Sequence, residues 1–150
     1  MRISSFQAAK TMCHISEWTL TNLKLQKLLY LAHMVSLGRG VPLLNEKFSA
    51  WIYGPVLPML YKRAKIFGNK PVGDRFYQEN VLNNSDARYL LLEEIFTFFG
   101  KKPGWELVGL THRSRGAWAK NYTTRYNVDI PESDIKEEYY SQVFDTDGKI

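Results

Sequence analysis

The sequence predicts a mainly α fold of the α+β kind: a single compact helical domain of about six helices with a small β-hairpin element. Three observations carry this. Apolar residues recur at helical spacing along most of the chain, as in Leu25, Leu28, Leu29, Ala32 and Val35. One short stretch, 47–53, alternates instead and is rich in aromatics. The periodic stretches are punctuated by helix-starting hydroxyls and helix-ending glycines and prolines, with no linker, repeat or low-complexity tract. A chain of 150 residues fits one domain over 1–150. Its core is expected over about 5–144, with a short C-terminal tail at 145–150.

Each element has a local reason. Ser4 or Ser5 caps a first helix to about Ile15, with Phe6, Ala9 and Cys13 at helical spacing. Trp18 and Thr19 form a connector. Thr21 caps a second helix to about Leu37, central by its hydrophobicity, with Lys24, Gln26 and Lys27 expected largely outside the apolar stripe and the two lysines in solvent. Gly38 and Gly40 end it and Pro42 prevents its resumption. In the strand at 47–53, Phe48, Ala50 and Ile52 face one way and Ser49, Trp51 and Tyr53 the other. Gly54-Pro55 ends it. A third helix is expected over 56–67, with Pro55 and Pro58 suited to its first turn and Gly68 closing it. The irregular region 69–84 holds the expected strand partner for 47–53, at 75–82. Ser85 caps a fourth helix, 86–99, dense enough in Leu and Phe to predict burial on most sides, and Gly100 stops it. Shorter helices follow over 104–112 and 115–123, and Ser133 opens a last one to about Phe144.

Composition narrows the function. Hydrophobic residues make 45%, charged 23% and aromatic 14% of the chain. No apolar run approaches the roughly 20 residues that cross a bilayer, and the N-terminus lacks the apolar core of a signal peptide. The single cysteine, Cys13, cannot form an internal disulfide, which suits a reducing cytoplasm, and it reads as a small core residue. The net charge of +5 is uneven. Residues 1–75 hold 11 Lys/Arg against 3 Asp/Glu, and residues 76–150 hold 9 against 12. A basic first half admits a nucleic-acid or acidic-protein partner, although no basic run is dense enough for a phosphate-binding arm.

Signatures of chemistry are missing. There is no phosphate-binding glycine loop and no Cys-x-x-Cys or His-x-x-x-His pair for zinc. Neither a catalytic residue, a metal site nor a cofactor is therefore assigned. His14, His33 and His112 are far apart in sequence. Glu93-Glu94 and Glu137-Glu138 are adjacent pairs whose carboxylates diverge on a helix, read as solvated faces. Thr111-His112-Arg113-Ser114 contains a hydroxyl beside a base, an arrangement that only three-dimensional geometry can turn into a catalytic site. Trp105 and Trp118 bracket this segment, and their first reading is packing.

Taken together, Lys24-Leu25-Gln26-Lys27-Leu28-Leu29-Tyr30, then Ala50-Trp51-Ile52-Tyr53-Gly54-Pro55-Val56 with Pro58 and Tyr61, then Leu110-Thr111-His112 and Trp118, resemble the Panacea domain. This is the SocA-like antitoxin family, also met in prophages as phage-associated GepA-like proteins. Lys24, Leu25, Lys27, Leu28, Tyr30, Trp51, Tyr53, Gly54, Pro55, Thr111, His112 and Trp118 carry the resemblance, which covers about residues 5–144. The chain departs from the family pattern at Ala117, where a proline usually stands, and at Pro103-Gly104-Trp105.

The resemblance implies an antitoxin of a two-gene system, not an enzyme. Such a protein neutralises a toxin encoded by an adjacent gene through protein–protein contact, or delivers it to a cellular protease, for which the tail 145–150 is a candidate recognition segment. Relatives with an added DNA-binding segment could autoregulate; with the domain starting almost at residue 1, no such segment is expected here. The signature residues are expected to be mostly structural, with Trp51 covering a core edge. Candidate partner-binding residues are Arg39, Lys62, Arg63, Lys65 and Trp105, with Glu137 and Glu138 as an acidic alternative. The competing reading is a nucleic-acid-binding or phage-related regulatory protein.

Overall fold

Helix α2 (Asn22–Gly38) runs through the middle of the molecule, and every residue from Leu25 to Leu37 is buried. An amphipathic helix hides one stripe; one hidden all round must be wrapped by other elements. Here α1 (Ser5–Ile15), α3 (Pro58–Ala64), α4 (Ala87–Phe99), α5 (Gly104–Thr111) and α7 (Glu132–Glu138) all pack on it. The short α6 (Ala117–Asn121) joins α5 to α7. This computed structural model describes residues 1–41, 43–124 and 127–143. Among them the protein is mainly α-helical, with a small two-stranded antiparallel sheet. Cys13 is buried in the core, and burial pushes its thiol up to about 12.

Helix starts follow the sequence closely. The Ser4 hydroxyl accepts from Gln7 N and that of Thr21 from Lys24 N, each satisfying an orphan amide. For α4 the cap is Asp86 rather than Ser85. Its carboxylate accepts from Arg88 N at 2.8 Å and also holds the Arg88 guanidinium. The density of apolar residues in α4 does not mean burial on most sides. Leu92 and Ile95 are buried, whereas Leu90 and Phe98 are exposed, because α4 rests on α1 and α2 with its far side open.

The β element corrects the expected pairing. Strand β1 (Ser49–Trp51) turns over Ile52 and Tyr53 straight into β2 (Gly54–Val56), in the register Ser49↔Val56, Ala50↔Pro55 and Trp51↔Gly54. The region 75–82 is irregular. Gly54, at φ +113°, makes the tight reversal accessible. Pro55 sits where its missing N–H is no loss: its partner Ala50 directs its own N–H outward, to Val128 O at 2.8 Å. Val56 is thereby in a strand, and α3 begins at Pro58, passing into a 3₁₀ turn at Lys65–Phe67. The last helix starts at Glu132, one residue before Ser133, and widens into a π-helical turn over Tyr139–Val143. The tail 145–150 lies outside the described residues.

Candidate functional site

Two polar side chains inside the central helix organise the site. Gln26, expected outside the apolar stripe, and Lys27, expected in solvent, are buried, and Lys27 is fully so. They face the hairpin. Gln26 accepts from Leu57 N at 2.8 Å and donates to Leu57 O at 3.4 Å. Lys27 Nζ donates to Pro55 O at 3.0 Å. These backbone groups face away from β1 and would otherwise be buried without partners, at about 1–3 kcal/mol each. Burial also disfavours the ammonium and brings the Lys27 amine down to about 7.

Three chain segments converge over Gly54. A Cβ placed there would lie 3.1 Å from Lys27 Nζ, 3.1 Å from Thr111 Oγ1 and 3.2 Å from His112 Nε2. The backbone angle favours glycine, and the space is tight enough that a side chain would make these neighbours give way. The His112 ring stacks on Trp118, centroids 3.8 Å apart and 2° from parallel, and Trp118 stacks in turn on Tyr122. The Trp118 indole donates to Trp51 O, and the Trp51 ring meets Tyr61 edge-on at 5.0 Å. Burial, aided by the Lys27 charge, holds His112 below its ordinary value, with the Tyr53 backbone opposing. The Thr111 hydroxyl donates back to Leu107 O and Val108 O, so it is directed into its own helix and not to His112. Among the described residues no group of three or more His, Cys, Asp or Glu could hold a metal.

The residues so assembled, Lys27, Trp51, Gly54, Pro55, Thr111, His112 and Trp118, come from three stretches that together span more than 80 positions of sequence. The family described as "Antitoxin SocA-like, Panacea domain" matches residues 25–119, which contain all of them. The chain belongs to this SocA-like Panacea family. Antitoxin SocA of Caulobacter vibrioides is 33% identical over 109 residues, covering 66% of this chain and 58% of that protein. The chain thus spans under two thirds of this relative's length. No solved structure matches.

Other members of the Panacea signature pack inside. Leu25, Leu28 and Tyr30 are fully buried, while Lys24 is half-buried and donates to Gly100 O at 2.7 Å. The Tyr30 hydroxyl donates to Glu138 Oε1 at 2.6 Å.

That contact corrects the reading of Glu137-Glu138 as a solvated pair. Glu137 is exposed and pairs with Lys120 at 3.1 Å. Glu138 is buried, also accepts from Ala117 N, and has its carboxyl pushed up by burial. It is therefore withdrawn from the surface. The two carboxylates part because one faces α2 and the other solvent. The basic candidates divide as well. Lys62, Lys65 and Trp105 are exposed. Arg63 lays its guanidinium over the Phe6 ring and donates to Arg75 O. Arg39 holds Glu94 through two hydrogen bonds. Gly104, next to Trp105, meets Leu23 at the start of α2 while Arg39 caps its other end, about 25 Å further along the 17-residue helix, so the candidates do not form one patch.

A feature not expected from sequence lies beside the Panacea hairpin. Ile52 and Tyr53, at the tip, are 63% and 67% exposed. Behind them opens a cleft of about 220 Å³ between the hairpin, the first turns of α2 and the Tyr61–Gly68 side of α3. The available signal was the exposure that a two-residue turn between Trp51 and Gly54 imposes on both its residues.

Proposed function

We propose that this chain is an antitoxin that neutralises a protein toxin by direct contact, acting as a binding module without chemistry of its own. Membership of the SocA-like Panacea family supports the reading, as does the name of the Caulobacter relative. The observation that carries it from geometry is the inward direction of the signature's polar groups. Lys27 bonds the Pro55 carbonyl, Thr111 bonds its own helix and His112 is stacked under Trp118. The groups best suited to chemistry are engaged within the fold, Lys27 on the hairpin itself, and the hairpin tip presents outward a pair of bulky apolar residues. That is the arrangement of a recognition surface on a rigid support.

The toxin is taken to be the product of an adjoining gene in a cytoplasmic system. The test is growth of cells expressing that product alone and with this chain, followed by co-purification. Toxicity relieved on co-expression, with a stable complex, is the expected result. Rescue without a recoverable complex would point to delivery to a protease. A harmless neighbour that forms no complex would refute the antitoxin reading for this pair.

A further inference from the structure

We propose that the cleft behind the hairpin tip receives one bulky apolar side chain carried on an acidic segment of the toxin. The inference rests on the antitoxin reading and names the partner chemistry. Size is the first argument. A volume of about 220 Å³ is well below the roughly 300–1,000 Å³ of pockets for drug-sized ligands and cofactors. It far exceeds the roughly 30 Å³ share of one water. A single large side chain lies between these limits.

Lining is the second argument. The walls are Leu23, Trp51, Ile52, Tyr53, Val56 and Tyr61, and Leu23, Ile52 and Tyr53 are exposed. Large apolar groups at the mouth of a small apolar cleft match the pockets that receive interface anchors, where tyrosine and tryptophan are enriched. Two residues of the same cleft also carry buried polar atoms without a hydrogen-bond partner, Trp51 Nε1 and Asn22 Oδ1. One donor and one acceptor are the complement of a main-chain amide, which an inserted segment supplies once the indole and amide edges turn toward it.

Charge is the third argument. The cleft is built from residues 22–27 and 51–68. There is no Asp or Glu anywhere in 18–45 or 47–73; of the eight Lys/Arg there, Lys27 is buried and Arg39 is held by Glu94. Lys62 and Lys65, exposed beyond Tyr61, make no ion pair among the described residues. Exposed Lys62 and Lys65, with no acid in their own stretch, favour an acidic segment and raise the rate of encounter.

The experiment uses the full chain and the purified adjoining-gene product, with affinity read by calorimetry and association by stopped flow. Ile52→Asp and Tyr53→Ala change exposed positions, so thermal midpoints should stay within a degree or two, and each should weaken the complex at least about tenfold. Lys62→Glu with Lys65→Glu should slow association about three- to tenfold at low salt, and less at high salt. A complex made by the unaltered chain and kept at full affinity by Ile52→Asp and Tyr53→Ala would overturn the cleft assignment alone. No complex from the unaltered chain would overturn the antitoxin reading and this inference with it. Retention of a duplex DNA fragment that is lost with added salt and in the double glutamate variant would assign the cationic surface to nucleic acid and overturn the proposal.

Discussion

Lys27→Met tests whether an amine sealed inside the central helix is held neutral. The folded protein brings Lys27 from 10.5 to about 7. Between pH 7 and pH 10.5 the unfolded chain therefore keeps this proton while the folded chain releases it. The unfolded state binds more protons, so this group makes stability rise with pH. At 1.36 kcal/mol per unit, less the curvature near the folded value, the rise from pH 7 to pH 9 is about 2 kcal/mol. Methionine removes the titration and leaves the Pro55 carbonyl unpartnered, at about 1–3 kcal/mol at every pH. The stability difference between chain and variant should thus shift by about 2 kcal/mol toward the unaltered chain on going from pH 7 to pH 9. Cys13 opposes the trend above about pH 8.5, but it is present in both proteins and cancels. Urea unfolding followed by tryptophan fluorescence at the two pH values measures the shift. An unchanged difference would mean that Lys27 stays charged when folded, and would refute the sealed-amine account.

Gly54→Ala forces a side chain into a backbone angle of +113° and against three polar atoms. It should cost about 2–3 kcal/mol in urea unfolding, and a cost near zero would show that the convergence over Gly54 is loose. Trp118→Phe keeps a ring on His112 but loses the indole bond to Trp51 O, for about 1–2 kcal/mol by the same assay. His33 is held down to about 4 by burial, so the unfolded chain binds more protons between pH 6.5 and pH 4 and stability falls on acidification through that window. His33→Gln should remove roughly 2 kcal/mol of that fall between pH 6.5 and 4.5, read from thermal midpoints at those two pH values. Gly38→Ala would place a Cβ 2.0 Å from the Tyr139 ring. Faster amide exchange confined to residues 132–143, with the rest of the core protected, is the expected result.

The helical frame was legible because caps and periodicity are local. Ser4 and Thr21 act on amides three residues away, and the apolar run of α2 reported its centrality directly. What failed was non-local. Lys27 looked solvated because a lysine beside a leucine stripe usually is, and its acceptor lies 28 positions away, beyond an intervening turn. The second strand was sought at 75–82 because Gly54-Pro55 read as a stop, whereas the glycine lets the chain reverse and the proline occupies a ladder position that needs no donor. Glu138 was assigned to solvent by its neighbour's character, and its burial depends on Tyr30 far upstream. The signature lies in separate stretches of sequence; that Lys27, Thr111 and His112 meet over one glycine is a property of packing, which no spacing encodes.

The hairpin has one more consequence, for the kind of partner it can accept. Small sheets commonly recruit other proteins by adding a strand along a free edge. Here one side of β1 is occupied by residues 128–130, through Ala50 N to Val128 O and Ile130 N to Phe48 O. On the other side, Pro55 offers no N–H, its carbonyl takes Lys27, and Leu57 gives both its groups to Gln26. Under the proposed antitoxin reading, a toxin would find no open backbone ladder on this hairpin among the described residues and would be recognised there through side chains. Recognition of that kind can be retuned by a few surface substitutions while the hairpin beneath stays the same, leaving one scaffold free to follow a changing partner.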